Sequence, residues 1–236
     1  MNHFSNIVLS LSLCAVSSLF LTARADGMLP ETTVVLLHEE DGETSFNVKN
    51  TDAAPALLHW VIENIPEDPE TLVVVTPPIT RVDGGETQRV RFLLATDKPL
   101  KTQRLKRVSF EGIPQKKTAT DPTVSVTVRQ NLPLIVHPRG LAKHRAPWEL
   151  LKWVRQGNQL VVRNDSAYVV RLGMNLVLNP NNVKAVLERP YVLPGETLKI
   201  AVDGEVRGVA SVTVQPATVY GFTVADFVAS VVDDNS

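Results

Sequence analysis

Histidine, serine and carboxylate side chains are the groups that could give this 236-residue chain catalytic or metal-binding chemistry. Ser166 lies outside any G-x-S-x-G turn, which is where many hydrolases hold their nucleophile. Paired histidine ligands on a helix have H-x-x-x-H spacing, and no two histidines here are so spaced. Four histidines follow the N-terminal segment: His38, His59, His137 and His144. These patterns predict no catalytic residue, no metal site and no cofactor.

Two further polar clusters are more typical of turns than of sites. Glu39 and Glu40 lead directly into Asp41-Gly42, which indicates a solvated turn rather than a pair of catalytic carboxylates. Gly84 and Gly85 follow Asp83, as in a hairpin, and no glycine-rich phosphate loop follows a strand. A secreted β-sandwich enzyme remains an alternative only if folding joins acids or histidines that the sequence keeps apart.

The composition also limits the classes of partner. The formal net charge is −1, so nothing in the charge balance attracts a nucleic acid. Hydrophobic residues make up 44% and charged residues 21%, which is the composition of a globular protein. We therefore expect neither a nucleic acid nor a small-molecule substrate as the partner.

The N-terminal segment resembles a secretory signal. Residues 7–21 are an almost unbroken apolar and serine run, shorter than the roughly 20 residues that a spanning helix needs. Ala23 and Ala25 have the A-x-A spacing of a cleavage site, so we expect removal of residues 1–25 before Asp26, with a retained anchor as the alternative. The chain's single cysteine, Cys14, would leave with the signal.

The rest of the chain is punctuated by short segments in which apolar and polar residues alternate. Period-two alternation predicts half-buried antiparallel strands, and frequent Gly, Pro, Asn and Asp turns between them favour β-sandwiches. The alternating apolar residues are Phe46/Val48, Val90/Phe92, Val124/Val126/Val128, Leu198/Ile200/Val202 and Val212/Val214. We therefore predict an all-β fold.

A polar stretch containing proline and glycine, residues 138–147, predicts a linker. The predicted organisation is a signal peptide at 1–25, an N-terminal domain at 26–140 and a C-terminal domain at 141–236. Each domain is close to the ~100 residues of an immunoglobulin-like sandwich.

The segment 123–136 predicts a long strand just before this linker. Its alternation places Val124, Val126 and Val128 on one side. Two interpretations are open from the pattern alone. The valines could fill the core of their own domain, or they could form an exposed apolar edge that pairs with a partner.

Five motifs, in this order, resemble the PapD-like family of periplasmic pilus chaperones. They are residues 59–63 (HWVIE), 76–85 (TPPITRVDGG), 109–114 (SFEGIP), 164–168 (NDSAY) and 192–195 (VLPG). The resemblance implies two immunoglobulin-like β-sandwich domains in tandem, in an L shape with an inter-domain cleft.

The resemblance also implies a function. Family members work in the periplasm, where they fold and cap pilus (fimbrial) subunits by donor-strand complementation and deliver them to an outer-membrane usher. On this basis Val124, Val126, Val128 and Leu132 would face the subunit, and the protein would not be an enzyme. A structural pilin or surface adhesin built of the same sandwiches is the alternative.

The chain departs from the family pattern where well-known members hold the subunit's terminal carboxylate. Their cleft arginine falls near Thr33 or Val34 and their lysine on Pro133, and none of these residues carries a charge. By resemblance to a more divergent branch, we expect Arg107 to supply the cation, with Arg129 and then Lys106 as alternatives.

An ion-pair network between the domains is a further family feature. Arg81 matches its arginine, whereas the usual acidic partners fall on Gln103 and Val219. We therefore expect an inter-domain role for Arg81 with a different partner, such as Glu111 or Asp226.

Overall fold

The computed structural model describes residues 27–115, 127–218 and 224–234, whose regular secondary structure is almost entirely β-strand. The predicted signal peptide at 1–25 and the two valines Val124 and Val126 lie outside these described residues. Within the described ranges, no helix combines the length and apolar character needed to cross a membrane.

The first half of the described chain contains nine strands in two sheets. One sheet has the order β1-β3-β7-β5, and the other has the order β2-β9-β8-β4-β6. The strands are β1 (Met28–Pro30), β2 (Val35–His38), β3 (Glu43–Asn50), β4 (Ala56–Glu63), β5 (Val73–Thr76), β6 (Ile79–Val82), β7 (Thr87–Leu94), β8 (Arg104–Pro114) and β9 (Arg129–His137). The alternation in β3, β4 and β7 points one set of side chains between the sheets.

Aromatic residues dominate the core between these sheets. The Trp60 ring, on β4, lies 4.7 Å from Phe110 and 5.6 Å from Phe92, measured between centroids. All three side chains are at most 2% exposed. Their edge-on and tilted contacts bring together one strand from the first sheet and two from the second.

The second half begins with a 3-10 turn at Pro147–Leu150, followed by nine strands. Seven of them hydrogen-bond in a closed ring, β10-β11-β16-β14-β13-β17-β18, and β12 pairs with β15 beside it. The strands are β10 (Lys152–Gln156), β11 (Gln159–Asn164), β12 (Val170–Arg171), β13 (Asn175–Asn179), β14 (Val183–Val186), β15 (Tyr191–Val192), β16 (Glu196–Val202), β17 (Ser211–Val214) and β18 (Phe227–Asp233). The predicted boundary at residue 140 lies between the end of β9 and the start of β10.

The two halves contact each other through a small apolar cluster and a buried amide. Leu105 and Ile135 pack with Val169 of the second half, and all three are at most 1% exposed. The Gln103 main-chain N–H donates to the Ala167 carbonyl at 2.8 Å, and its side-chain oxygen accepts from the Val169 N–H at 2.8 Å. These contacts hold β12 close to the end of β8.

Candidate functional site

One edge of β9 is unpaired along most of its N-terminal half. β8 pairs antiparallel with β9 from Arg129 to Val136, whereas β2 pairs with it in parallel only from Leu134 onward. Residues 129–133 therefore have a strand neighbour on one side only among the described residues. An unpaired strand edge presents main-chain donors and acceptors to any extended segment that approaches it.

The valine side of this strand changes its environment along the chain. Leu132 and Leu134, on the same side as Val128, lie in the core of the first half at 9% and 0% exposure. Val128 lies where the sandwich no longer covers that side, and it is 59% exposed. Leu132, which we expected to face a subunit, is thus sealed in this chain's own core and offers no surface in the free chain.

Arg107, on β8, lies opposite Pro133 of β9 in the strand register. Its Nη2 donates to the Asn131 carbonyl at 2.9 Å, and its Nε donates to Asn131 Oδ1. Burial lowers the pKa of Arg107. Across the three described ranges no carboxylate forms an ion pair with this guanidinium, and the nearby charge of Glu63 only partly offsets the effect of burial on its pKa.

A second arginine, Arg171 on β12, lies close to Arg107 from the other half of the chain. Burial lowers the pKa of Arg171, and the nearby charge of Arg107 lowers it further. Its Nη1 donates to the Thr218 carbonyl at 3.2 Å, and it forms no ion pair among the described residues. Two half-buried cations without a counter-ion favour binding of an anion between them.

Sequence reasoning did not identify Arg171. An arginine in a short alternating strand usually lies on a solvated face, and nothing near residue 171 distinguishes it from such a residue. The relevant signal is spatial, because β12 is brought to β8 by contacts between distant segments: those of Gln103 with Ala167 and Val169, and the packing of Leu105 against Val169.

The two alternative anchors already have partners. Arg129 forms an ion pair with Glu63 at 2.7 Å. Lys106 is fully buried, and its Nζ contacts the Asp68 carboxylate at 2.9 Å and the main-chain oxygens of Asp68 and Glu70 at 2.6 and 2.5 Å. The three bonds hold the 65–70 turn against β8, and the ammonium offers no surface to a partner.

Arg81 is exposed on β6, at the edge of its sheet, where its Nη2 pairs with Asp83 at 2.9 Å. It has no described contact with Glu111, with Asp226 or with the second half, so the expected inter-domain role has no support from its surroundings. The bridging contacts come instead from Gln103 and from an ion pair between Glu67 and Arg189.

Comparison with protein families covers nearly all of the described chain. Residues 27–142 match the N-terminal domain of the pili and flagellar-assembly chaperone PapD, and residues 146–226 match its C-terminal domain. The chain is 39% identical over 199 residues to the uncharacterized fimbrial chaperone YhcA of Escherichia coli strain K12, covering 84% of this chain and 88% of that protein.

Solved structures have the same fold. The crystal structure of the E. coli chaperone DraB superposes with a TM-score of 0.70 at 23% identity, covering 88% of this chain and all of DraB (100%). A chain from the complex of the Salmonella enterica SafA pilin with the SafB chaperone also gives 0.70, at 17% identity, covering 88% of this chain and 97% of that one.

Proposed function

The chain belongs to the family of pili-assembly chaperones that carry the PapD N- and C-terminal domains, and from that membership we propose that it binds a pilus subunit along the open edge of β9. It is a pilus-assembly chaperone of the chaperone–usher type, and the pilin or adhesin alternative is not favoured. The unpaired edge at residues 129–133 is the observation that supports this binding site.

The subunit would add its own strand to this edge. Main-chain hydrogen bonds would satisfy both edges, and alternate side chains would enter the subunit's groove. Val128 is the described member of that row, and the alternation of the sequence predicts that Val124 and Val126 would extend it. Fully burying a valine is worth about 1.5 kcal/mol, so three valines would contribute several kcal/mol before the entropy of association is subtracted.

The terminal carboxylate of the subunit would bind at Arg107, with Arg171 as the second cation. Both guanidiniums lack an ion-pair partner among the described residues, and burial strengthens their attraction for an anion. Arg129 and Lys106 are weaker candidates, because Glu63 and Asp68 already neutralise them.

The remaining features follow from family membership. The protein would act in the periplasm after cleavage of residues 1–25, with domains at 26–140 and 141–236. It would pass its subunit to an outer-membrane usher. It would not be an enzyme and would need no cofactor, because the binding energy of the added strand folds the subunit.

The test is coexpression with a fimbrial subunit encoded beside this chain, followed by purification of a one-to-one periplasmic complex. We expect Val128→Asp to abolish copurification, because a carboxylate would enter an apolar groove at a cost of several kcal/mol. Val228→Asp is the matched control, since both valines are 59% exposed and Val228 lies on β18 of the second half. Equal copurification of the two variants would refute the proposed edge.

A further inference from the structure

Both described contacts of the Arg107 guanidinium are with a single neutral residue, Asn131. Nε donates to the Asn131 side-chain oxygen, and Nη2 donates to its main-chain oxygen at 2.9 Å. A guanidinium has five N–H groups, so three remain, including both on Nη1. These three can form the planar fork that binds a carboxylate with two bonds.

The side chain of Asn131 is itself held in one orientation. Its Nδ2 donates to Glu63 Oε2 at 3.0 Å and to Ser109 Oγ at 2.9 Å. Rotating the amide by half a turn would place its oxygen against the Glu63 carboxylate and its NH₂ against the Arg107 guanidinium. Both new contacts would be repulsive, so the two neighbours determine which end of the amide faces Arg107.

Glu63 orients this amide without neutralising Arg107. Its carboxylate accepts from Ser109 Oγ and pairs with Arg129 at 2.7 Å. The hydrogen bond from Ser109 is the main cause that lowers the pKa of Glu63, with the Arg129 charge adding to it, so this acid is ionised at neutral pH. Its carboxylate pairs directly with Arg129 and acts on Arg107 only through its nearby charge, since its hydrogen bond on that side is with the amide of Asn131.

We propose that Asn131, oriented by Glu63 and Ser109, is a positioning residue that holds Arg107 ready for a carboxylate without forming an ion pair with it. The inference rests on the proposed anchor role of Arg107 and deepens it. A neutral residue is required at this position, because an acid there would form an ion pair with the guanidinium and weaken its attraction for the subunit's terminal carboxylate.

The decisive variant is Asn131→Asp, which keeps the shape and the acceptor but adds a competing charge and removes the donors to Glu63 and Ser109. We expect its affinity for the coexpressed fimbrial subunit to fall about tenfold or more, as expected for loss of one charge-assisted hydrogen bond. Asn175→Asp, at an exposed position on β13, adds the same charge in the second half and should bind like the wild type.

A double-mutant cycle with Arg107→Ala separates positioning from a general structural effect. If Asn131 acts through Arg107, adding Asn131→Asp to Arg107→Ala should cause no further loss. An equal loss in both backgrounds, or an unchanged affinity for Asn131→Asp alone, would overturn the positioning role while leaving the anchor intact. An unchanged affinity for Arg107→Ala would overturn the anchor itself and, with it, the role of Asn131.

Discussion

Removing the Arg107 guanidinium is the most direct test of how this chaperone would hold its subunit. Arg107→Ala deletes the cation and its bonds to Asn131, which is exposed and can hydrogen-bond water instead. The fold should therefore survive, and the free chaperone should melt near the wild-type temperature. Arg89→Ala is the matched control, because Arg89 is an exposed strand arginine of the same half that has no described ion pair.

The expected loss of subunit affinity follows from the N–H donors of Arg107 that have no acceptor among the described residues. A carboxylate that accepts from this guanidinium makes at least one charge-assisted hydrogen bond, worth about 1.5–3 kcal/mol. At about 1.4 kcal/mol per factor of ten, subunit affinity should fall roughly 10- to 100-fold. Arg171→Ala should cause a similar loss. The double variant should lose less than the sum if both cations hold one carboxylate.

The assay compares two forms of one subunit, with a free C-terminal carboxylate and with a C-terminal amide made by semisynthesis. In equilibrium binding, Arg107→Ala should have a lower affinity than the wild type for the subunit with the free carboxylate. The two proteins should have nearly equal affinities for the amidated subunit. Arg89→Ala should match the wild type on both forms. Equal binding by Arg107→Ala and wild type, or the same loss on the amidated subunit, would refute the reasoning.

Two stability predictions follow from the buried polar groups. Burial raises the pKa of Asp68, but bonds from Arg104 and Lys106 outweigh burial and leave the pKa below its usual value. A carboxyl whose pKa is lower in the folded state than in the unfolded state stabilises the fold at any pH above the unfolded pKa of about 3.9. That contribution is lost as the pH falls through the folded pKa. The urea midpoint should therefore fall on acidification below about pH 4, and Asp68→Asn should flatten that fall; an identical pH profile would contradict the assignment. Gln103→Ala should lower the free energy of unfolding in urea by about 1–3 kcal/mol, because the buried Val169 N–H loses its acceptor. An unchanged urea midpoint would exclude that bond as a stabilising contact.

Alternation along each strand was readable from the sequence because side-chain direction in a strand is a local property with a period of two residues. It predicted the all-β fold. It also placed Val128, the residue just before β9, on the same side as Leu132 and Leu134, and of these three Val128 is the exposed one. The motif resemblance identified the family and selected Arg107, which has no ion pair within the described part of the chain, as an anion-binding role requires.

In contrast, the groups that each charged side chain contacts are decided by packing between segments far apart in the chain. In the sequence Lys106 resembles an ordinary solvent-facing lysine of a strand. In the fold the 65–70 turn covers it, and an acid and two main-chain carbonyls of that turn bind its ammonium group. Arg171 becomes part of the candidate site because the bonds of Gln103 and the packing of Leu105 against Val169 hold β12 close to β8.

The open edge of β9 has the same origin. The sequence predicts a strand over residues 123–136, but it does not determine where a neighbouring strand stops pairing with it. β2 begins its pairing at Leu134, and that endpoint leaves residues 129–133 with an unpaired edge. The sequence alone determined which side each residue faces, whereas the tertiary structure decided which edges and charges remain unpartnered, because pairing depends on where distant strands begin and end.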